Sequence, residues 1–173
     1  LLGNGDGTFQ SQLTFPVGFD PISVTISHFN GDIFEDLVVA NAVDNTISIL
    51  LGNGDGTFQS QGTLPVGNGP YSVAIGHFNP DTFEDLAVVN VFDNTISILR
   101  GNGDGTFQSQ QTLSSGSGAF SIAIGRFNSD VFEDLAVTGD SGIYIPLGNG
   151  DGTFQSPQTF PAGGGAISIA VGN

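Results

Sequence analysis

Hydrophobic and polar positions alternate along this chain in short runs. Residues 72–76 read Ser-Val-Ala-Ile-Gly, 95–99 read Thr-Ile-Ser-Ile-Leu, and 85–89 read Asp-Leu-Ala-Val-Val. The stretch 57–61, Thr-Phe-Gln-Ser-Gln, continues the pattern. A period of two places alternate side chains on opposite faces of a strand. The runs are rich in β-branched and aromatic residues and are bounded by Gly, Asn, Asp and Pro, which end strands. No stretch shows a helical period. With no Lys and three Glu, the chain also lacks the surface residues that favour helix. The pattern predicts strands over 71–77, 85–90, 95–99 and 58–66 in one unit of the chain.

That unit is copied. Gly-Asn-Gly-Asp-Gly-Thr-Phe starts at Gly3, Gly52, Gly101 and Gly148, at intervals of 49, 49 and 47 residues. Phe-Asn-x-Asp-x-Phe-Glu-Asp-Leu starts at Phe29, Phe78 and Phe127, and Asp-Asn-Thr-Ile-Ser-Ile-Leu at Asp44 and Asp93. Four short antiparallel strands per repeat of this length predict an all-β fold, a β-propeller of four-stranded blades. One such sheet cannot bury both faces alone, whereas stacked blades bury their Ile, Val, Leu and Phe rows against each other. A β-helix would have shorter repeats.

The string Gly-Pro-Tyr-Ser-Val-Ala-Ile-Gly-His-Phe-Asn-Pro-Asp, followed by Asp-Leu-Ala-Val-Val-Asn and by Ile-Ser-Ile-Leu-Arg-Gly-Asn-Gly-Asp-Gly-Thr-Phe-Gln, resembles the FG-GAP (VCBS-type) repeat. Such repeats build integrin α-chain propellers and occur in many secreted bacterial proteins. The resemblance spans the whole chain. It implies an extracellular or cell-surface location, and it is unspecific for function, since one fold carries many functions.

The phase of the repeat divides the chain into 1–21 (the end of one blade), blades at 22–69, 70–118 and 119–165, and a first strand of a further blade at 166–173. This amounts to about 3.75 blades, an open or partial propeller, and closing four blades would take the equivalent of 29–49, a further 21 residues. Two expectations follow: the chain is a segment of a larger propeller, or its open edges pair with neighbouring copies into a ring or filament. The last blade departs from the pattern. Its link at 138–142 is two residues shorter than 90–95, and Pro146 stands where Leu50 and Leu99 stand, which predicts a bulged or partly unpaired strand.

Charge narrows the partners. The 173 residues hold 17 acids against two cations, Arg100 and Arg126, for a net charge of −15. Two arginines cannot displace counterions from a phosphate backbone, so nucleic acid is excluded. No apolar run approaches the ~20 residues of a membrane-spanning helix, so membrane insertion is not expected. Without Cys there is no disulfide framework and no thiolate chemistry.

Thirteen of the 17 acids lie in two motifs. Asp6, Asp55, Asp104 and Asp151 sit in Gly-Asn-Gly-Asp-Gly, where Asn-Gly and Asp-Gly predict a tight hairpin. The pattern is no phosphate cradle, because it lacks the Lys and the following helix. The other nine lie in the Phe-Asn-x-Asp-x-Phe-Glu-Asp loops. The family resemblance implies that this loop wraps one Ca²⁺ through positions 1, 3, 5, 7 and 9. Position 3 is Asn30, Asn79 and Asn128, position 5 is Asp32, Asp81 and Asp130, and position 9 is Asp36, Asp85 and Asp134. Two positions depart from the family. His28, His77 and Arg126 replace the first Asp, and Ile33, Thr82 and Val131 replace a turn Gly. Imidazole is a poor ligand for calcium and a guanidinium repels it. In place of an ion, Asn30 and Asp32 would cap the turn as Asx residues do. Arg126 would pair with Asp130 or Asp134, and His28 and His77 would bond Asp36 and Asp85.

Two sets of phenylalanines recur at fixed phase. Phe9, Phe58, Phe107 and Phe154 form one, and Phe34, Phe83 and Phe132 the other; both are expected to pack between blades. Phe83→Ala should then cost about 3–5 kcal/mol.

No catalytic constellation is present. The two histidines occupy equivalent points of separate blades, and Glu35 and Asp36 are neighbours that point to opposite faces. The expected function is a non-catalytic extracellular binding or adhesion module whose loops meet a protein or glycan partner. The alternatives are a self-assembling structural protein built through open blade edges, and an accessory domain of a larger secreted enzyme.

Overall fold

The computed structural model describes residues 1–163 and 165–172. Twelve strands form three four-stranded antiparallel sheets. The first holds β1 (Pro21–Ser27), β2 (Asp36–Asn41), β3 (Thr46–Leu50) and β4 (Gly62–Pro65), in that order. The second holds β5 (Pro70–Gly76), β6 (Asp85–Asn90), β7 (Thr95–Leu99) and β8 (Gln111–Ser114). The third holds β9 (Ile122–Gly125), β10 (Asp134–Gly139), β11 (Gly142–Ile145) and β12 (Gln158–Pro161). Each sheet is a simple meander, and none closes on itself. Among the described residues no helix is long and apolar enough to cross a membrane.

The sheets stack as blades in an open, partial propeller, with β1, β5 and β9 side by side along the axis. The period of two decides which blade each residue faces. In β6, Leu86 and Val88 join Val38, Ile47 and Ile49 of the first blade. Their alternates Ala87 and Val89 join Ile122, Leu135 and Val137 of the third. The middle blade is therefore buried on both faces. The first is not: Val24 is 61% exposed, whereas Val73 at the same phase is 8% exposed.

Three sheets form where the repeat count gave 3.75 blades. Residues 1–20 and the described residues after Pro161 contribute no strand, only the isolated bridge Gly3↔Phe9. The fourth strand is also shorter than 58–66. Phe58 bridges Gly52 to close the hairpin and Gln59 N–H bonds the Leu51 carbonyl, 60–61 leave the ladder, and pairing resumes at Gly62. In the last blade β11 stops one residue before Pro146, and β10 pairs with β11 over three residues where β2 and β3 pair over five. The missing donor of Pro146 is thus kept outside the ladder, while its carbonyl still accepts from Leu135 N–H at 3.1 Å.

The two phenylalanine sets separate. Phe107 and Phe154 pack edge-to-face on Phe29 and Phe78 of the preceding blade, at ring distances of 5.6 and 5.2 Å. Phe34, Phe83 and Phe132 do not enter the space between blades. Each lies over the first positive-φ glycine of its own hairpin (Gly54, Gly103, Gly150), and Phe83 stays 41% exposed. A half-exposed ring buries roughly half of the 1.5–3 kcal/mol of a full one, so Phe83→Ala costs about 1 kcal/mol, below the range set by a core position.

Candidate functional site

The acidic loops at one end of each blade are held by a buried aspartate. Asp36 Oδ2 accepts Phe29 N–H and Oδ1 accepts Gly52 N–H, both at 2.8 Å. Asp85 does the same with Phe78 and Gly101, and Asp134 with Phe127 and Gly148. One carboxylate thus ties the loop after the first strand to the hairpin after the third. Desolvation pushes the Asp85 carboxyl above its usual 3.8, against the two backbone N–H bonds that pull it down.

Asn30 and Asp32 shape the turn. Asn30 Oδ1 accepts Asp32 N–H at 2.9 Å, and Asp32 Oδ1 accepts Phe34 N–H at 2.8 Å. Asn79 with Asp81, and Asn128 with Asp130, repeat this. These are Asx turns, which close the loop through its own side chains. Among the described residues no group of three or more His, Asp or Glu side chains could hold a metal ion. The buried aspartate faces backbone donors while the two Asx residues sit on the exposed turn.

The expected replacements of the ion differ too. His28 Nε2 lies 4.0 Å from Glu35, not on Asp36, and no other basic side chain comes that close to a carboxylate among the described residues. Arg126 therefore pairs with neither Asp130 nor Asp134. The glutamate of the motif instead crosses between blades. Glu84 Oε1 accepts the Ser27 hydroxyl of the first blade at 3.1 Å, and Glu133 Oε2 accepts His77 N–H of the second at 2.7 Å. The sequence marked this glutamate only as a recurring acid.

The four Gly-Asn-Gly-Asp-Gly-Thr-Phe segments are closed hairpins. In each, Asn N–H bonds the Thr carbonyl, Asn Nδ2 bonds Thr Oγ1, and the Asp carboxylate accepts both the N–H and the hydroxyl of Thr. The Thr hydroxyl, and after it the Thr N–H, hold Asp6, Asp55, Asp104 and Asp151 below the usual 3.8.

The opposite end of the blades carries a cleft of about 710 Å³ that runs between the first and second blades at the mouth of the axis. Ile22, Tyr71 and Phe120, equivalent positions of three blades, line its axial side. Tyr71 and Phe120 pack edge-to-face at 5.7 Å. Val43 and Phe92, both largely exposed on the turns after β2 and β6, form its wall. Asp20, Asn45, Asn68 and Asp93 add polar groups. Asp93 also binds Asn68, whose N–H and side-chain amide each reach it at 2.7 Å, and these bonds hold its carboxyl low. Asp20 sits at φ 56, where the other two blades place Gly69 and Gly118. A left-handed conformation costs a non-glycine residue about 1–2 kcal/mol, less for Asp, so the chain accepts strain at a cleft position. Sequence reasoning missed this cleft. Its signal was the break in the repeat, Phe19-Asp20 against Asn68-Gly69 and Val43 against Phe92.

Stacked four-stranded meanders around one axis, with loop clefts at the ends and inward-facing first strands, define a β-propeller segment. The FG-GAP-like repeat family matches the chain at 28–88 and 77–137, well over half its length. The chain belongs to that family. A solved lectin of Agrocybe aegerita, described for specific recognition of non-reducing terminal N-acetylglucosamine, superposes with a TM-score of 0.58 at 21% identity. The match covers 80% of this chain and 38% of the lectin chain, and at that identity it speaks for the fold. A Photorhabdus luminescens Tc holotoxin pore is matched at a TM-score of 0.43 and 17% identity, over 76% of this chain and 7% of that one. No curated protein matches the chain.

Proposed function

We propose that this segment is a non-catalytic extracellular binding module, and that its ligand surface is the cleft at Tyr71, Phe92 and Phe120. The observation that carries this reading is the exposure of Phe92 and Tyr71 beside Asp20, Asn45 and Asn68 in a preformed concavity. Aromatic faces flanked by carboxylate and amide groups suit a ligand with apolar faces and many hydroxyls, such as a glycan. The strongly acidic surface favours a neutral or cationic partner over an acidic one. The lectin among the structural relatives supports a glycan over a protein surface, and FG-GAP-like repeats support an extracellular setting. The acidic loops serve the scaffold in this reading and close without calcium.

Binding to an immobilised panel of neutral glycans, including N-acetylglucosamine-terminated ones, tests it. Phe92→Ala should weaken the bound glycan at least about tenfold, the 1.4 kcal/mol scale of one aromatic contact, at an unchanged melting midpoint. Equal binding by the variant would remove the cleft from the proposal. The scaffold role of the loops is tested separately. Melting midpoints in excess Ca²⁺ and in EDTA should coincide, and a rise of several degrees with Ca²⁺ would assign the loops to ion binding.

A further inference from the structure

The cleft at Tyr71 and Phe92 departs from the repeat at two positions, and the two departures fit together. Residue 20 aligns with Gly69 and Gly118, and residue 43 aligns with Phe92. Neither glycine has room for a side chain. A Cβ on Gly69 would run into the Phe92 ring, and one on Gly118 into the Asp140 carboxylate. In the first blade Val43 stands where Phe92 stands. Its N–H bonds the Phe19 carbonyl as the Phe92 N–H bonds that of Asn68. The shorter Val43 leaves the space that the ring fills, and Asp20 places a side chain there beside it. The backbone keeps the same hand, at φ 56 against 66 at Gly69 and 68 at Gly118. Glycine takes that conformation without strain. The carboxylate is therefore present in spite of the backbone, not because of it.

Asp93 is the second carboxylate of the cleft. Asn68 makes one bond to each of its oxygens, which leaves lone pairs on both. No basic side chain is among the residues that line the cleft. His28 lies beside Glu35, His77 and Arg126 line a pocket with Glu133, and Arg100 covers Gly152, all at the acidic-loop end. The cleft thus joins two carboxylates to the rings of Tyr71, Phe92 and Phe120 and holds no cation of its own. Carboxylates and the faces of aromatic rings attract the same charge.

We propose that the cleft selects a sugar with a free ammonium group, a 2-amino-2-deoxyhexose unit, and that Asp20 makes the selection. The sugar ring would lie against Phe92 and Tyr71, and its ammonium would meet Asp20. An N-acetylated amine carries no charge and gains nothing from that carboxylate. Asp93 contributes less, because Asn68 already engages both of its oxygens. The inference rests on the ligand reading of this cleft and adds to it the charge of the ligand. Screening weakens an ion pair at an open cleft, so the preference for the amine should fall as salt is added.

Isothermal titration at about pH 6, where the sugar amine is charged, compares the methyl glycosides of 2-amino-2-deoxyglucose, of its N-acetylated form and of glucose. The amine should bind about five- to tenfold tighter than either neutral glycoside, the combined scale of one exposed ion pair and one cation–π contact. Asp20→Asn and Asp20→Gly should each cut that preference to about twofold or less. Asp20→Gly should not lower the melting midpoint, since the first blade then repeats the backbone of the other two. Asp32→Asn removes the same charge at the opposite end of the blades and should leave the preference intact, which separates the cleft from the net charge of −15. Equal binding of the three glycosides, a preference that survives both Asp20 variants, or one that Asp32→Asn also removes would overturn the proposal. Phe92→Ala tells this failure from that of the ligand reading. If it weakens the neutral glycosides while none of the three is preferred, the cleft stands and the selection by Asp20 falls. If it changes the binding of none, or none binds at roughly millimolar concentration, the ligand reading falls and the selection with it.

Discussion

Asp85 shows how much of a blade hangs on one side chain. It is fully buried, and its two oxygens face two different backbone donors, Phe78 N–H and Gly101 N–H, both at 2.9 Å. Asparagine has the same shape but presents an NH₂ to one of those donors. Asp85→Asn should therefore destabilise the protein by about 1–3 kcal/mol, the cost of a buried unsatisfied donor. Denaturant unfolding measures it, and Asp32→Asn, whose Oδ1 can still accept Phe34 N–H, should cost much less. The position of Asp36, Asp85 and Asp134 was legible in the sequence as an invariant element of the repeat. Its role was not. A repeated acid in a turn reads as an ion ligand until the neighbouring hairpin brings a backbone N–H from 16 residues away in the first two blades and 14 in the third.

Strands and hairpins were legible for the opposite reason, because local chemistry decides them. The second and third strands of the middle unit fall where alternation put them, at β6 and β7, and Gly-Asn-Gly-Asp-Gly is a hairpin in all four copies. The fourth strand was overextended since period two continues through 60–61 while the chain there leaves its partner between Gln59 and Gly62. The hairpins also set an acid limit. The depressed carboxyls of Asp6, Asp55, Asp104 and Asp151 contribute stability that is present above 3.8 and lost as pH falls through their lower folded values. Asp85 works the other way: its charge costs stability above its raised folded value, and protonation relieves that cost as the pH falls through it. Acidification from neutral should therefore first relieve Asp85 and only below 3.8 weaken the hairpins. Thr106→Val removes the hydroxyl that does most to hold Asp104 low. Its melting deficit should be full near neutral pH and shrink below 3.8, and a deficit independent of pH would detach the hairpin from the acid transition.

At the scale of the molecule, each blade touches only its neighbours, so stability is a sum of blade terms and interface terms. The interfaces are built from several weak links. A seated hairpin, a row of alternating aliphatics, and a glutamate that reaches back one blade recur at both junctions. The glutamate is the link that can be removed without touching either core. Glu133→Ala leaves His77 N–H without its 2.7 Å acceptor and takes about 1 kcal/mol from the junction of the second and third blades alone. Amide exchange should then speed up in β9 and β10 and stay unchanged in β2 and β3, two interfaces away. Uniform acceleration across all three sheets would mean that the blades unfold as one unit and that the nearest-neighbour description fails for a stack this short.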